Sequence, residues 1–78
     1  MPDIQHYDIR NIDWPVSILD CKRQVDRMKP GQRLDVLVND IDVVNTLIAL
    51  LKNFTGIRIE TEKKETHYIL IISKYEAV

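Results

Sequence analysis

The chain has 78 residues, 45% of them hydrophobic, and this length allows one domain, residues 1–78, around a single hydrophobic core. Eleven basic and twelve acidic residues leave a formal net charge of −1, which excludes a general electrostatic affinity for nucleic acid or for an anionic membrane. The single cysteine, Cys21, excludes an internal disulfide. A single unpaired cysteine is typical of a cytoplasmic protein, which we therefore expect. The chain shows neither an apolar leader nor a run of about 18 apolar residues, so we also expect it to be soluble.

The first predicted elements are a strand and an amphipathic helix. The segment from Ile4 to Ile9 is short and alternating, as strands are, and Pro15 suits the first turn of a helix because its φ is fixed. The buried face of that helix is predicted by apolar residues at spacings of three and four: Ile18, Cys21, Val25 and Met28. The dipeptide Pro30-Gly31 ends the helix.

A second strand and a second helix follow directly. Residues 33–39 alternate between apolar and polar, and Leu37 is the apolar residue on the otherwise polar face. Asn39 and Asp40 are good helix caps, and Lys52 lies near the predicted helix end, where the helix dipole favours a cation. The apolar face of this helix is predicted to contain Ile41, Val44, Leu47, Ile48 and Leu51.

Two strands complete the predicted fold. Gly56 permits a left-handed backbone before a half-exposed edge strand at 57–62, whereas 67–74 is apolar on both faces and suits a central strand. Short connections and the right-handed crossover rule place both helices on one sheet face. We predict an α+β fold, a two-layer α/β sandwich of order β-α-β-α-β-β with a four-stranded mixed sheet in the order 1-2-4-3. An apolar patch is expected on the open face, made by Leu37, Ile69 and Ile71.

The order of these elements and several local strings resemble the TusA/SirA-like family of small sulfur-carrier proteins over most of the chain. Members of that family begin with a strand that reads D-x-R-G and have C-P-x-P at the start of helix one. Asp8, Arg10 and Pro15 match these patterns in position, and Trp14 stands where the family has its cysteine. Further similar features are the turn MKPG, the string LDVLVND, Gly56 and the closing string YILI.

The resemblance implies a cysteine at the N-terminus of helix one, where the positive end of the helix dipole favours the thiolate of a persulfide carrier. Trp14 has one N–H donor and a large apolar surface, and it cannot carry a sulfane sulfur. Asn11 and Ser17 replace the glycine and the second proline of the family motifs. We therefore expect a non-enzymatic module, without a cofactor, that binds another protein. The residues implied to bind are Asp8, Arg10, Trp14 and Pro15.

Two interpretations of the loop residues stay open. Trp14 is either an exposed anchor for a partner or a side chain folded back over the helix end. Arg10 either receives an anion or an acidic partner, or forms a surface ion pair with Asp8 or Asp13.

Two alternative functions also stay open. The first is sulfur relay with Cys21 as acceptor, although its position in the apolar stripe predicts a buried and inert thiol. The second is a homodimer held through the open-face residues Leu37, Ile69 and Ile71. His6 and His67 are predicted on different strands without further ligands, so we expect no metal site.

Overall fold

The computed structural model describes residues 4–10 and 16–75. Its elements are β1 (Ile4–Asp8), α1 (Val16–Asp26), β2 (Arg33–Val38), α2 (Ile41–Leu51), β3 (Ile57–Lys63) and β4 (Tyr68–Lys74). The four strands form one sheet in the order β1-β2-β4-β3, in which β1 is parallel to β2, and β4 is antiparallel to both of its neighbours. The predicted fold class, strand order and central position of the last strand are confirmed. No helix in this described part has the length and apolarity needed to cross a membrane.

The hydrophobic core lies between the sheet and the two helices. Its buried side chains are Ile9, Ile18, Cys21, Val25, Met28, Leu34, Val36, Val38, Val44, Leu47, Leu51, Leu70 and Ile72. The stripe predicted for α1 is therefore buried as expected. Ile41 was wrongly assigned to the core, since it is 45% exposed. At 3.6 residues per turn it lies about 90° around α2 from the centre of the buried face.

The strand ends differ from the predicted ends by single residues, whereas both helices end about one turn earlier than predicted, at Asp26 and Leu51. β1 ends at Asp8, although the Ile9 N–H still donates to the Leu37 carbonyl at 3.1 Å. β4 begins at Tyr68, so His67 was wrongly placed in a strand. It lies in the turn between β3 and β4, where its carbonyl accepts a hydrogen bond from the Lys64 N–H at 2.8 Å.

The C-terminal end of α1 is held against the end of β4. Lys74 Nζ donates to the Met28 carbonyl at 2.9 Å, and the Gly31 N–H donates to the Lys74 carbonyl at 2.8 Å. Gly31 has φ +87°, which a residue with a side chain rarely adopts. An ammonium group near the last carbonyls of a helix interacts favourably with the helix dipole. These contacts hold the turn that follows α1 against the end of β4.

Candidate functional site

Two of the residues implied by the family resemblance, Asp8 and Arg10, lie at the carboxyl end of the parallel strand pair β1 and β2. β1 and β2 run side by side, with Asp8 opposite Leu37, and each is followed by a helix on the same sheet face. Parallel neighbours end at the same sheet edge, so residues 9–10 and 39–40 leave the sheet next to each other. The side-chain amide of Asn39 confirms this proximity, because its Nδ2 donates to the Arg10 carbonyl at 3.3 Å.

Asp8 and Arg10 form a bidentate ion pair at this edge. Arg10 Nε donates to Asp8 Oδ1 at 2.9 Å and Nη2 donates to Oδ2 at 2.7 Å, while the Arg10 backbone N–H also donates to Oδ1 at 3.0 Å. The Arg10 side chain is 36% exposed and the Asp8 side chain is 45% exposed. The geometry matches the surface ion pair considered from the sequence. A guanidinium has five N–H donors, and the pair with Asp8 uses two of them.

The ion pair changes the titration of Asp8. The hydrogen bonds from the Arg10 side chain, followed by the one from its backbone, lower the pKa of Asp8 from an ordinary 3.8 to about 2. A carboxyl group with a depressed folded-state pKa stabilises the fold above its unfolded-state pKa, and this contribution is lost as the pH falls through the folded-state value. The ordering of the loop by this pair should therefore be lost between about pH 4 and pH 2.

We expect the Asp8 carboxyl to titrate near pH 2 in a carbon-detected NMR experiment, and to return toward its ordinary pKa in Arg10→Gln. Arg58→Gln is the matched control, because Arg58 pairs with Glu60 at 2.8 Å on the opposite edge strand. An Asp8 pKa that is the same in the native protein and in Arg10→Gln would contradict the bidentate pair.

The N-terminus of α2 lies at the same sheet edge, directly after the carboxyl end of β2. Asp40 is the N-cap of α2, and its side chain accepts a hydrogen bond from the Asp42 N–H at 2.8 Å. Asp40, Asp42, Val43 and Thr46 line a shallow surface depression of about 260 Å³. Its lining combines carboxylate oxygens with aliphatic carbons, which suits a ligand group that has both an apolar body and a hydrogen-bond donor.

Trp14 and Pro15 lie outside the described residues, as do Asn11 and Asp13. The residues on either side of this segment are placed. Arg10 is held by Asp8 and Asn39, and Val16 is the first residue of α1. The predicted binding roles of Trp14 and Pro15 therefore remain predictions from the sequence.

Cys21 is part of the core and is not part of this edge. Its side chain has an exposed fraction of 0%, on the face of α1 that packs against the sheet. Burial raises the pKa of the thiol to about 12. The thiol is therefore protonated at pH 7, whereas sulfur chemistry requires the thiolate.

Tyr7 makes a link between the site strand and α1 that sequence reasoning missed. Its hydroxyl donates to Asp20 Oδ2 at 3.1 Å, and Asp20 also lies 3.7 Å from Arg23 Nη1. Burial, followed by the hydrogen bond to Asp20, raises the pKa of Tyr7. The alternation of β1 gave a signal, because it places Tyr7 on the helix-covered face, where a hydroxyl needs a partner. The hydrogen bond from Asn39 to Arg10 was also missed, because Asn39 was predicted only as a helix cap. This contact forms because β1 and β2 are neighbours in the sheet.

The open sheet face carries the predicted apolar residues in a narrow strip. Leu37 pairs in register with Ile69, and Ile71 pairs with Asp35. All three apolar side chains are half-buried. Asp35 is only 6% exposed although no helix covers it, and it accepts two hydrogen bonds from Arg33, at 2.7 and 2.9 Å.

Ion pairs also border this strip on the β3 side. Arg58 pairs with Glu60 at 2.8 Å, and Lys64 pairs with Glu62 at 2.9 Å. Glu60 and Glu62 stand in register with Ile71 and Ile69, so charged side chains flank the apolar ones across the face. The three apolar residues form a strip one or two residues wide with paired charges beside it, and their role as an interface stays a prediction.

Comparison with known proteins decides the family. A model of the family described as Sulfurtransferase TusA matches residues 5–74, which include all six elements apart from the first residue of β1. The chain belongs to the TusA family. None of the curated proteins compared with it matches significantly.

A solved structure confirms the TusA-like fold. The crystal structure of a SirA-like protein from Desulfitobacterium hafniense superposes with a TM-score of 0.73 at 20% sequence identity, and the match covers 94% of this chain and 99% of that one. The TusA-family scaffold is thus present nearly end to end.

Proposed function

We propose that this member of the TusA family acts by binding another protein and does not itself carry sulfur. The observation that carries the proposal is the burial of Cys21, which is the single cysteine of the chain and is 0% exposed. A persulfide carrier must bring its thiolate into contact with a donor and then with an acceptor. A thiol beneath α1 with a pKa of about 12 can do neither while the helix is packed.

The surface proposed for binding is the loop at the carboxyl end of β1, with Asp8, Arg10, Trp14 and Pro15. Its support is the placement of both ends: the Asp8–Arg10 pair and the Asn39 tether fix the exit from β1, and Val16 fixes the start of α1. A loop held at both ends loses less conformational entropy on binding than a free one. Tryptophan is enriched among residues that dominate binding energies, so Trp14 is the proposed anchor.

Two further assignments belong to this proposal. The strip of Leu37, Ile69 and Ile71 is a second surface for the same partner, because half-buried apolar residues with a polar border resemble the composition of protein interfaces. The site of action is the cytoplasm, where a chain with a single free cysteine is expected.

The proposal is tested by comparing the proteins that bind the native chain and Trp14→Ala after crosslinking in cells, with quantitative mass spectrometry. Removal of a tryptophan anchor costs about 2 kcal/mol or more, so the specific partner should fall at least about 30-fold. Leu19→Ala is the matched control, because Leu19 is an apolar side chain on α1 that is 58% exposed. An unchanged set of partners in Trp14→Ala would refute the proposed anchor.

The alternative function is sulfur relay with Cys21 as acceptor. It is favoured by the family assignment itself, because the matching model is described as a sulfurtransferase. This alternative requires α1 to separate from the sheet, since the thiol lies on the packed side of that helix. Labelling and sulfur-loading experiments on Cys21 distinguish it from the binding proposal.

A further inference from the structure

The solvent-facing side of α2 has an unusual distribution of charge. Four exposed residues, spaced by three or four positions along the helix, form a line opposite the buried face, and we call them the α2 stripe: Asp42, Asn45, Ala49 and Lys52. Residues 43–51 contain no charged side chain, in a chain that is 29% charged. By contrast, α1 carries four charged side chains: Asp20, Lys22, Arg23 and Asp26.

The charges of the α2 stripe are complementary to those of an identical stripe that runs in the opposite direction. Its two charges are of opposite sign and lie at opposite ends of the helix, with Asp42 in the first turn and Lys52 at the C-cap. Consider two identical helices that pack antiparallel, with the two-fold axis crossing them at the level of residue 47. Asp42 then lies opposite Lys52 of the second copy, and Asn45 lies opposite Ala49 of the second copy. Each contact occurs twice because the pair is symmetric.

We propose that a second copy of the chain binds antiparallel along the α2 stripe and forms a two-fold symmetric dimer. Small side chains at a helix crossing allow interaxial distances at the short end of the usual 8–10 Å range, and Ala49 supplies such a position. Half-buried aliphatic residues lie on both flanks of the stripe and extend the contact: Val43, Ile48 and Leu50. The dipoles of antiparallel helices also oppose each other favourably.

Charge complementarity favours the α2 stripe over the open sheet face as the surface for a second copy. On the open face, Arg33, Arg58 and Lys64 already form salt bridges within the chain. Among the described residues, the side chains of Asp42 and Lys52 enter no salt bridge, and the Asp42 backbone alone takes part in the capping hydrogen bonds. An interface of one helix per copy is small, so the dimer is a transient one.

The test is a charge-reversal series measured by sedimentation equilibrium at protein concentrations up to about 1 mM, the range in which small interfaces associate. Asp42→Lys and Lys52→Asp should each weaken self-association about tenfold, because each puts like charges opposite each other at both symmetric contacts. An equimolar mixture of the two variants should form a heterodimer at least as readily as the native chain, since all its contacts are again of opposite sign. The double variant should likewise regain native association.

The double variant separates the dimer from helix stability. Both reversals oppose the helix dipole, so its thermal midpoint should be the lowest of the series even though its association recovers. Lys22→Asp and Asp26→Lys, exposed on α1, are the matched controls and should leave association unchanged. A chain that is monomeric throughout the concentration range, a dimer insensitive to both reversals, or a double variant weaker than either single variant would each overturn the proposal.

Discussion

Native Cys21 is expected to react with a small maleimide reagent at least about a thousandfold more slowly than the same thiol in the denatured chain. The thiol is fully buried, and burial raises its pKa to about 12, so the reactive thiolate is available only when α1 opens. A domain of this length has a free energy of unfolding of about 4–12 kcal/mol, and at the lower end the open fraction is near one in a thousand. The rate of Cys21 modification is measured by quenching the labelling reaction at a series of times and determining the intact mass.

The control for this labelling experiment lies on the same helix. Leu19 is 58% exposed, so Leu19→Cys in a Cys21→Ala background should react at close to the denatured rate. The helix and its neighbouring charges are then nearly the same, and the two thiols differ chiefly in burial, which controls the access of the reagent. A native Cys21 rate within about tenfold of the Leu19→Cys rate would mean that the thiol is accessible in the folded protein, and the sulfur-relay alternative would gain support.

Leu47→Ala is expected to have the largest effect on stability. Leu47 is 0% exposed and lies at the centre of the buried face of α2, between Val44 and Leu51. Its truncation removes buried methyl groups and leaves a cavity, at a cost of about 2–5 kcal/mol. This is a large part of the total stability of so small a domain. Urea denaturation followed by circular dichroism measures the loss.

Leu19→Ala is the companion variant for this measurement. It removes the same atoms from an exposed position of α1, where surface substitutions change stability by about 0.5 kcal/mol or less. Equal losses for Leu47→Ala and Leu19→Ala would show that α2 does not pack as described. An unchanged dependence of the unfolding free energy on urea would confirm that the two variants share the native unfolding transition.

Most of the fold could be predicted from the sequence, because the spacing of the apolar residues and the positions of the turn-forming residues indicate the same helices and strands. The two-sided apolar pattern of residues 68–72 identified the central strand, and the spacing of Cys21 with Val25 identified the face of α1 that is buried. Gly56 was correctly expected to have a positive φ, which is +77°. Such local signals are read directly from periodicity and backbone preference.

The candidate site was harder to predict because its contacts join residues that are distant in sequence. The tether from Asn39 to Arg10 and the hydrogen bond from Tyr7 to Asp20 both depend on the register of β1 with its neighbours. Asp35 shows the same limit. Its position on the open face was predicted, but its near-complete burial follows from the bidentate contact with Arg33, which alternation alone does not reveal.

The TusA-family assignment and the burial of Cys21 together define the central claim, which is a sulfur-carrier scaffold that works without carrying sulfur. The most direct test incubates the native protein with a cysteine desulfurase and cysteine, and seeks by intact-mass measurement an added sulfur that a reductant removes. A TusA-family protein that retains its cysteine is the positive control, and Cys21→Ala is the matched negative control. The claim predicts no adduct on the native chain while the positive control is loaded, whereas a reducible sulfur on Cys21 of the folded protein would contradict it.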